Sequence, residues 1–154
     1  MNITDFKLID ILVVDDNPGD ALLIREALKS GKIFNSLIIV KDGLEAMDLL
    51  RRKGNYADAP RPDLIFLDLD LPKMNGRQVL AEIKSDDELK QIPVVIVTTS
   101  QSEEDIVKTY NLQANCYVTK PIDLVQFIKV VESIEDFGLS LVKRPPQNQT
   151  GLFL

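Results

Sequence analysis

The feature that most constrains this chain is a set of short, uninterrupted apolar runs, each closing on a reactive side chain. Ile11-Leu12-Val13-Val14 leads into Asp15-Asp16, Leu64-Ile65-Phe66-Leu67 into Asp68, and Val94-Val95-Ile96-Val97 into Thr98. A shorter run, Cys116-Tyr117-Val118, passes through Thr119 to Lys120-Pro121. A strand with one wet face alternates apolar and polar residues, whereas an unbroken apolar run suits a strand covered on both faces. Such strands call for one parallel sheet with helices on either side. In open sheets of this kind ligands bind at the carboxyl edge of the strands. The groups that end the runs then emerge together along that edge.

Strand-like and helix-like segments alternate five times. Asn17-Pro18 caps and opens a first helix carrying Leu22, Leu23, Ala27 and Leu28, and Gly31 is placed to end it. Leu37-Ile38-Ile39-Val40 reads as a second strand, and Lys41-Asp42-Gly43 turns into a helix with Leu44, Met47, Leu49 and Leu50. Residues 54 to 62 read as a loop, from their Gly, Asn and two prolines. Val79, Leu80 and Ile83 mark a short helix after the third strand, and Pro93 opens the fourth strand without costing a ladder bond. Ser102-Glu103-Glu104-Asp105 has the form of a capped helix start, with Ile106, Val107 and Tyr110 as its apolar side. The last helix is expected over Ile122 to Phe137. The fold class is α/β, a doubly wound parallel five-stranded sheet.

Composition removes several classes of function. The 154 residues contain no histidine, so Ser-His and Cys-His catalysis, histidine zinc sites and a phosphohistidine on this chain are excluded. Cys116 is the single cysteine and sits within a strand-like run, which fits a buried structural thiol and a reducing compartment. The net charge is −6, and Arg51-Arg52-Lys53 and Lys143-Arg144 read as helix-end or tail charges rather than a nucleic-acid patch. No apolar stretch approaches membrane-spanning length, and Met1-Asn2-Ile3-Thr4-Asp5 lacks the form of a signal peptide. The expectation is a cytoplasmic protein that binds neither DNA, RNA nor membrane.

The clustered groups suit phosphoryl chemistry. An aspartate carboxylate can attack phosphorus to form an acyl phosphate, but it repels a dianionic phosphate. A Mg²⁺ ion between the two anions removes much of that repulsion, and it favours carboxylate, phosphate and water oxygens. Asp15 and Asp16 can supply the carboxylates. Lys120 would balance phosphoryl charge, and Thr98 would donate a hydrogen bond to a phosphoryl oxygen.

In their order along the chain, Asp15-Asp16, Asp68, Thr98 and Lys120-Pro121 resemble the receiver domain of two-component response regulators, over about residues 8 to 138. The resemblance implies a (βα)5, flavodoxin-like fold and a phosphoryl group donated by a sensor histidine kinase. It implies Asp68 as phosphoacceptor, with Thr98 and Lys120 completing the catalytic set. It implies Mg²⁺, with Mn²⁺ as an alternative, bound directly by Asp16 and Asp68, through water by Asp15, and by the backbone carbonyl of Asp70. A cis peptide before Pro121 is also implied, which proline makes accessible. Tyr117 matches the receiver aromatic that exchanges between exposed and inward rotamers, so phosphorylation would draw Thr98 towards the new oxygens and let Tyr117 fill the space behind it.

Leu71-Pro72-Lys73-Met74-Asn75-Gly76-Arg77, Thr98-Thr99-Ser100 and Asn115-Cys116-Tyr117 carry a narrower likeness, to the small regulators that partner phytochrome kinases in cyanobacteria. That likeness implies one receiver over residues 1–138 and a tail over 139–154 without an effector domain. Leu124, Phe127, Ile128, Val131 and Ile134 form one stripe on the last helix, widened by Val130 and Phe137. So much apolar surface favours a homodimer or partner face. Asp70 departs from the usual neutral residue two past the acceptor, and its effect on phosphate lifetime stays open. Two other functions compete: a haloacid-dehalogenase-like phosphatase, from the spacing of Asp68-Leu69-Asp70, and a phosphate-independent binding module with receiver geometry.

Overall fold

A computed structural model describes residues 9–30 and 35–133. Five strands, β1 (Ile9–Val14), β2 (Asn35–Val40), β3 (Leu64–Leu67), β4 (Val94–Thr98) and β5 (Cys116–Thr119), form one sheet. Helices α1 (Pro18–Ser30), α2 (Gly43–Leu50), α3 (Gly76–Ser85), α4 (Glu103–Asn111) and α5 (Leu124–Ser133) follow them in turn. The strand order is β2-β1-β3-β4-β5 and every pairing is parallel. The chain direction across the sheet reverses between β1 and β3, and the crevice at such a switch point is where open α/β sheets bind ligands.

Both faces of the sheet are covered, as the unbroken apolar runs require. Ile11 and Val13 of β1 pack on one side with Ala21, Ile24 and Leu28 of α1 and Phe127 and Val131 of α5. The Phe66 and Phe127 rings meet there at 5.1 Å, tilted by 41°. Leu12 and Val14 face the other way, into a second core with Ala46 and Leu49 of α2 and Val79, Leu80 and Ile83 of α3. Successive strand residues point to opposite faces, so one run serves both cores.

Helix starts follow local chemistry. The Asn17 carboxamide accepts from the Asp20 amide at 3.1 Å. Asp42 and Ser102 cap α2 and α4 in the same way, and Asn75 with Gln78 forms a capping box on α3. The expected loop over residues 54 to 62 contains a short 3₁₀ turn at Gly54–Tyr56.

The buried faces of three helices differ from expectation. Leu22 and Leu23 of α1 are exposed, and Ala21 and Ile24 lie inside. On α2 Leu44 is exposed and Ala46 buried. On α4 Val107 and Tyr110 are exposed, and Thr109 is the buried residue, its hydroxyl donating to the Ile106 carbonyl at 3.0 Å. On α1 and α2 the buried residues recur at helical spacing, and Leu22 and Leu44 fall off that face. On α5, Phe127, Val130 and Val131 are core, which leaves Leu124 and Val125 exposed. Gly31, Ile134, Phe137 and the tail over 139–154 lie outside the described residues.

Candidate functional site

Register brings the reactive residues to one edge. Val14 of β1 is level with Val40 and with Leu67 of β3, so the next residues, Asp15 and Asp68, stand side by side. The Asp15 amide donates to the Val40 carbonyl and the Asp68 amide to the Val14 carbonyl, each at 3.0 Å. Across the sheet Thr98 is level with Thr119, and the Lys120 amide donates to the Thr98 carbonyl at 2.8 Å. The Lys120–Pro121 peptide is cis. Gly76 lets α3 start against β3, because a Cβ at that position would collide with the carbonyl oxygen of Asp68.

Lys120 is the centre of the site. Its ammonium donates to Asp68 Oδ2 at 2.8 Å and stands 2.9 Å from Asp15 Oδ2 and 2.8 Å from Asp20 Oδ2. Asp15, Asp68 and Lys120 are buried, while Asp16 faces solvent. Burial works against the charged ammonium, but its hydrogen bonds to Asp20, Asp68 and Asp15 outweigh it and hold the Lys120 pKa above its ordinary value. Burial also raises the Asp15 pKa, against the lowering effect of the Asn17 amide and of Lys120. One Asp68 oxygen faces Lys120 and the other accepts from the Asp70 amide at 3.0 Å.

One oxygen from each of Asp15, Asp16 and Asp68 lies within 4.8 Å of the others. Oxygen donors alone, with acids in excess of nearby cations, fit a hard divalent cation. The site therefore has a donor set that receiver chemistry would use.

Thr98 is fully buried at the end of β4. Its hydroxyl is 3.5 Å from Asp70 Oδ2, at the long limit of a hydrogen bond, and Thr99 reaches the same oxygen at 3.4 Å. Asp70 itself is exposed, and its carboxylate is turned towards these hydroxyls. Tyr117 is half-buried and donates from its hydroxyl to the Ser100 carbonyl at 2.9 Å.

Two sets of contacts escaped the sequence reading. Asp20, one helical turn beyond the acid pair, joins Lys120; an acid in the first turn of a helix that starts at the same edge was the available signal. Farther along the edge, Arg77 of α3 grips Asp105 of α4 with two hydrogen bonds, at 2.7 and 2.6 Å. Ser100 donates to the same carboxylate at 2.6 Å. Arg77 and Ser100 together pull the Asp105 pKa down to about 2. Nothing local in the sequence announces a pair so far apart.

Comparison with known proteins decides the family. The model of the response regulator receiver domain matches residues 11–132. The chain belongs to this family. Among the relatives of this receiver is response regulator Rcp1 of Synechocystis sp., 50% identical over 135 residues, covering 88% of this chain and 92% of Rcp1. The Mn²⁺-bound crystal structure of Rcp1 aligns with a TM-score of 0.76 and 48% identity, over 90% of this receiver and 99% of that chain. The phosphorylated cyanobacterial phytochrome response regulator RcpA gives the same TM-score at 51% identity, over 87% and 96%. The (βα)5 receiver fold and the two-component assignment expected from the sequence are thus found, and the phosphatase alternative falls. Among the described residues no helix is long and apolar enough to cross a membrane.

Proposed function

We propose that this receiver accepts a phosphoryl group on Asp68 from the phosphohistidine of a sensor histidine kinase, and that the kinase is of phytochrome type. The observation that carries the reading is a buried carboxylate closing β3, beside a second strand-end acid and 2.8 Å from a buried ammonium. Similarity to the phytochrome response regulator RcpA supports the phytochrome partner. In the step, an Asp68 oxygen attacks phosphorus and an O–P bond forms. The P–N bond of the donor breaks, and the imidazole leaves with the electron pair and takes up a proton from solvent.

Lys120 holds Asp68 in place and stays close enough to offset charge on the transferred group. Thr98 gives up its long contact with Asp70 and turns its hydroxyl to a phosphoryl oxygen. Mg²⁺, or Mn²⁺ in its place, held by Asp15, Asp16, Asp68 and the Asp70 carbonyl, would supply the positive charge that lets two anions meet. As Thr98 moves, Tyr117 leaves the Ser100 carbonyl and turns inward, which changes the surface around β5. Homodimer formation extends the reading: Val107 and Tyr110 on α4 and Leu124 and Val125 on α5 are exposed apolar side chains. A cytoplasmic location suits such a kinase partner.

Incubation of the full chain with Mg²⁺ and acetyl phosphate tests the transfer. Intact mass should show one labile phosphoryl group, and Asp68→Asn should carry none. Undiminished labelling of Asp68→Asn would refute Asp68 as acceptor. A wild-type chain that no donor modifies would favour the binding module. Sedimentation over a range of concentrations tests the dimer, which a monomer at every concentration would remove.

A further inference from the structure

We propose that Asp20 is a positioning residue for Lys120, drawing its ammonium towards α1 so that the oxygens of Asp15 and Asp68 stay open to a divalent cation. The inference rests on the receiver reading of the pocket and concerns a residue outside the expected ligand set.

An ammonium has three N–H donors. Those of Lys120 have three carboxylates within reach, Asp20 at 2.8 Å, Asp68 at 2.8 Å and Asp15 at 2.9 Å. Two of these acids belong to the group whose oxygens converge with Asp16, and Asp20 does not. A cation seated in that group would draw on the same carboxylates as the ammonium, and the two positive charges would repel. Asp20 is the one partner of Lys120 that lies outside that group, so the ammonium can lean on it without drawing on a ligand.

The helix itself sets the backbone position of Asp20. This residue sits in the first turn of α1, its amide tied to the Asn17 side chain at 3.1 Å, and Ala21 beside it is buried against the sheet. Outer groups that orient the ligands of a metal ion commonly change its affinity tenfold or more when removed. Without Asp20 the third ammonium proton loses its acceptor, and Lys120 settles between Asp15 and Asp68 as a competitor of the cation.

Calorimetric titration with Mg²⁺ alone, in the absence of phosphodonor, tests this on the full chain. Asp20→Asn should raise the Kd for Mg²⁺ about tenfold, and Asp20→Glu should restore part of the loss. In a Lys120→Met background, Asp20→Asn should shift the Kd by no more than about twofold, because the competitor has gone. The same loss with and without Lys120 would overturn the proposal, since Asp20 would then act as a remote charge only.

Nitrogen-15 NMR of the lysine ammonium gives a second measurement, independent of whether Lys120→Met folds. At saturating Mg²⁺ the Lys120 signal should stay protected in the wild type and exchange rapidly in Asp20→Asn. Identical signals would overturn the assignment. A wild-type chain that takes up no Mg²⁺ would overturn both this proposal and the receiver reading. Equal Mg²⁺ binding by wild type and Asp20→Asn would overturn this one alone.

Discussion

Two ion-pair centres lie along the carboxyl edge of the sheet, one at Lys120 and one at Arg77. Their contacts are all short, 2.8 to 2.9 Å around Lys120 and 2.6 to 2.7 Å between Arg77 and Asp105. Charge count separates them. Around Lys120 one cation meets Asp15, Asp20 and Asp68, with Asp16 close by. Arg77 hydrogen-bonds a single carboxylate, which also accepts from Ser100. The first centre holds surplus negative charge and can recruit a cation. The second pairs one cation with one carboxylate, and its bonds hold the start of α4 against α3. Bond length alone would not have distinguished a reactive site from a clamp.

Removing the cation from each centre should break the comparison most sharply. Lys120→Met leaves Asp15 and Asp68 buried without their ammonium, which costs about 3–5 kcal/mol where a buried pair loses one partner. Added Mg²⁺ should recover part of this, because it binds the folded pocket alone. Arg77→Ala should cost less, about 1–2 kcal/mol, since both side chains keep some contact with water. Its loss should not respond to Mg²⁺. Urea unfolding with and without Mg²⁺ reads both, and an equal Mg²⁺ response in the two variants would erase the distinction between reactive and structural centres.

Acid should sharpen the same contrast. The Asp105 pKa lies at about 2 in the folded chain, below the ordinary 3.8, because Arg77 and Ser100 bond its charged form. A carboxylate lowered on folding gives its full contribution above 3.8 and loses it as pH falls through about 2. Asp15 shifts the opposite way, raised chiefly by burial, so it takes up its proton first as the solution is acidified. Carbon-13 titration of the two carboxyls should show Asp15 protonating at a pH where Asp105 is still charged. The reverse order would mean that the clamp is weaker than its geometry states.

These two centres also differ in how far the sequence reveals them. Asp15, Asp68, Thr98 and Lys120 were legible because each ends, or closely follows, a strand-like run, and parallel strands leave such residues on one edge. Helix caps at Asn17 and Ser102 were legible for a local reason, a side-chain acceptor just ahead of free amides. Asp20 was not foreseen, because its partner is contributed by the far end of the chain. The Arg77–Asp105 contact depends on how α3 and α4 lie on the sheet, which local pattern does not fix. Hydropathy also misled at α1 and α2, where Leu22 and Leu44 outrank the alanines that pack inside. Spacing was the better guide: Ala21, Ile24 and Leu28 fall on one side at helical period, and Leu22 does not.

Tyr117 joins the balanced centre by one bond, and its removal should have the smallest effect. Tyr117→Phe deletes the hydroxyl that donates to Ser100, in the loop whose side chain also holds Asp105. A single neutral hydrogen bond of this kind contributes roughly 0.5–1.5 kcal/mol. The ring stays, so the packing against Ile96, its neighbour across the pairing of β4 and β5, is kept. If phosphorylation pulls the ring inward, the bond to Ser100 belongs to the resting arrangement alone. Its loss should then favour the phosphorylated form, as a small rise in the affinity for beryllofluoride, a phosphoryl mimic. Unchanged affinity with reduced stability would assign Tyr117 to the clamp and detach it from the reactive centre. Reduced affinity would reverse the assumed direction of the switch.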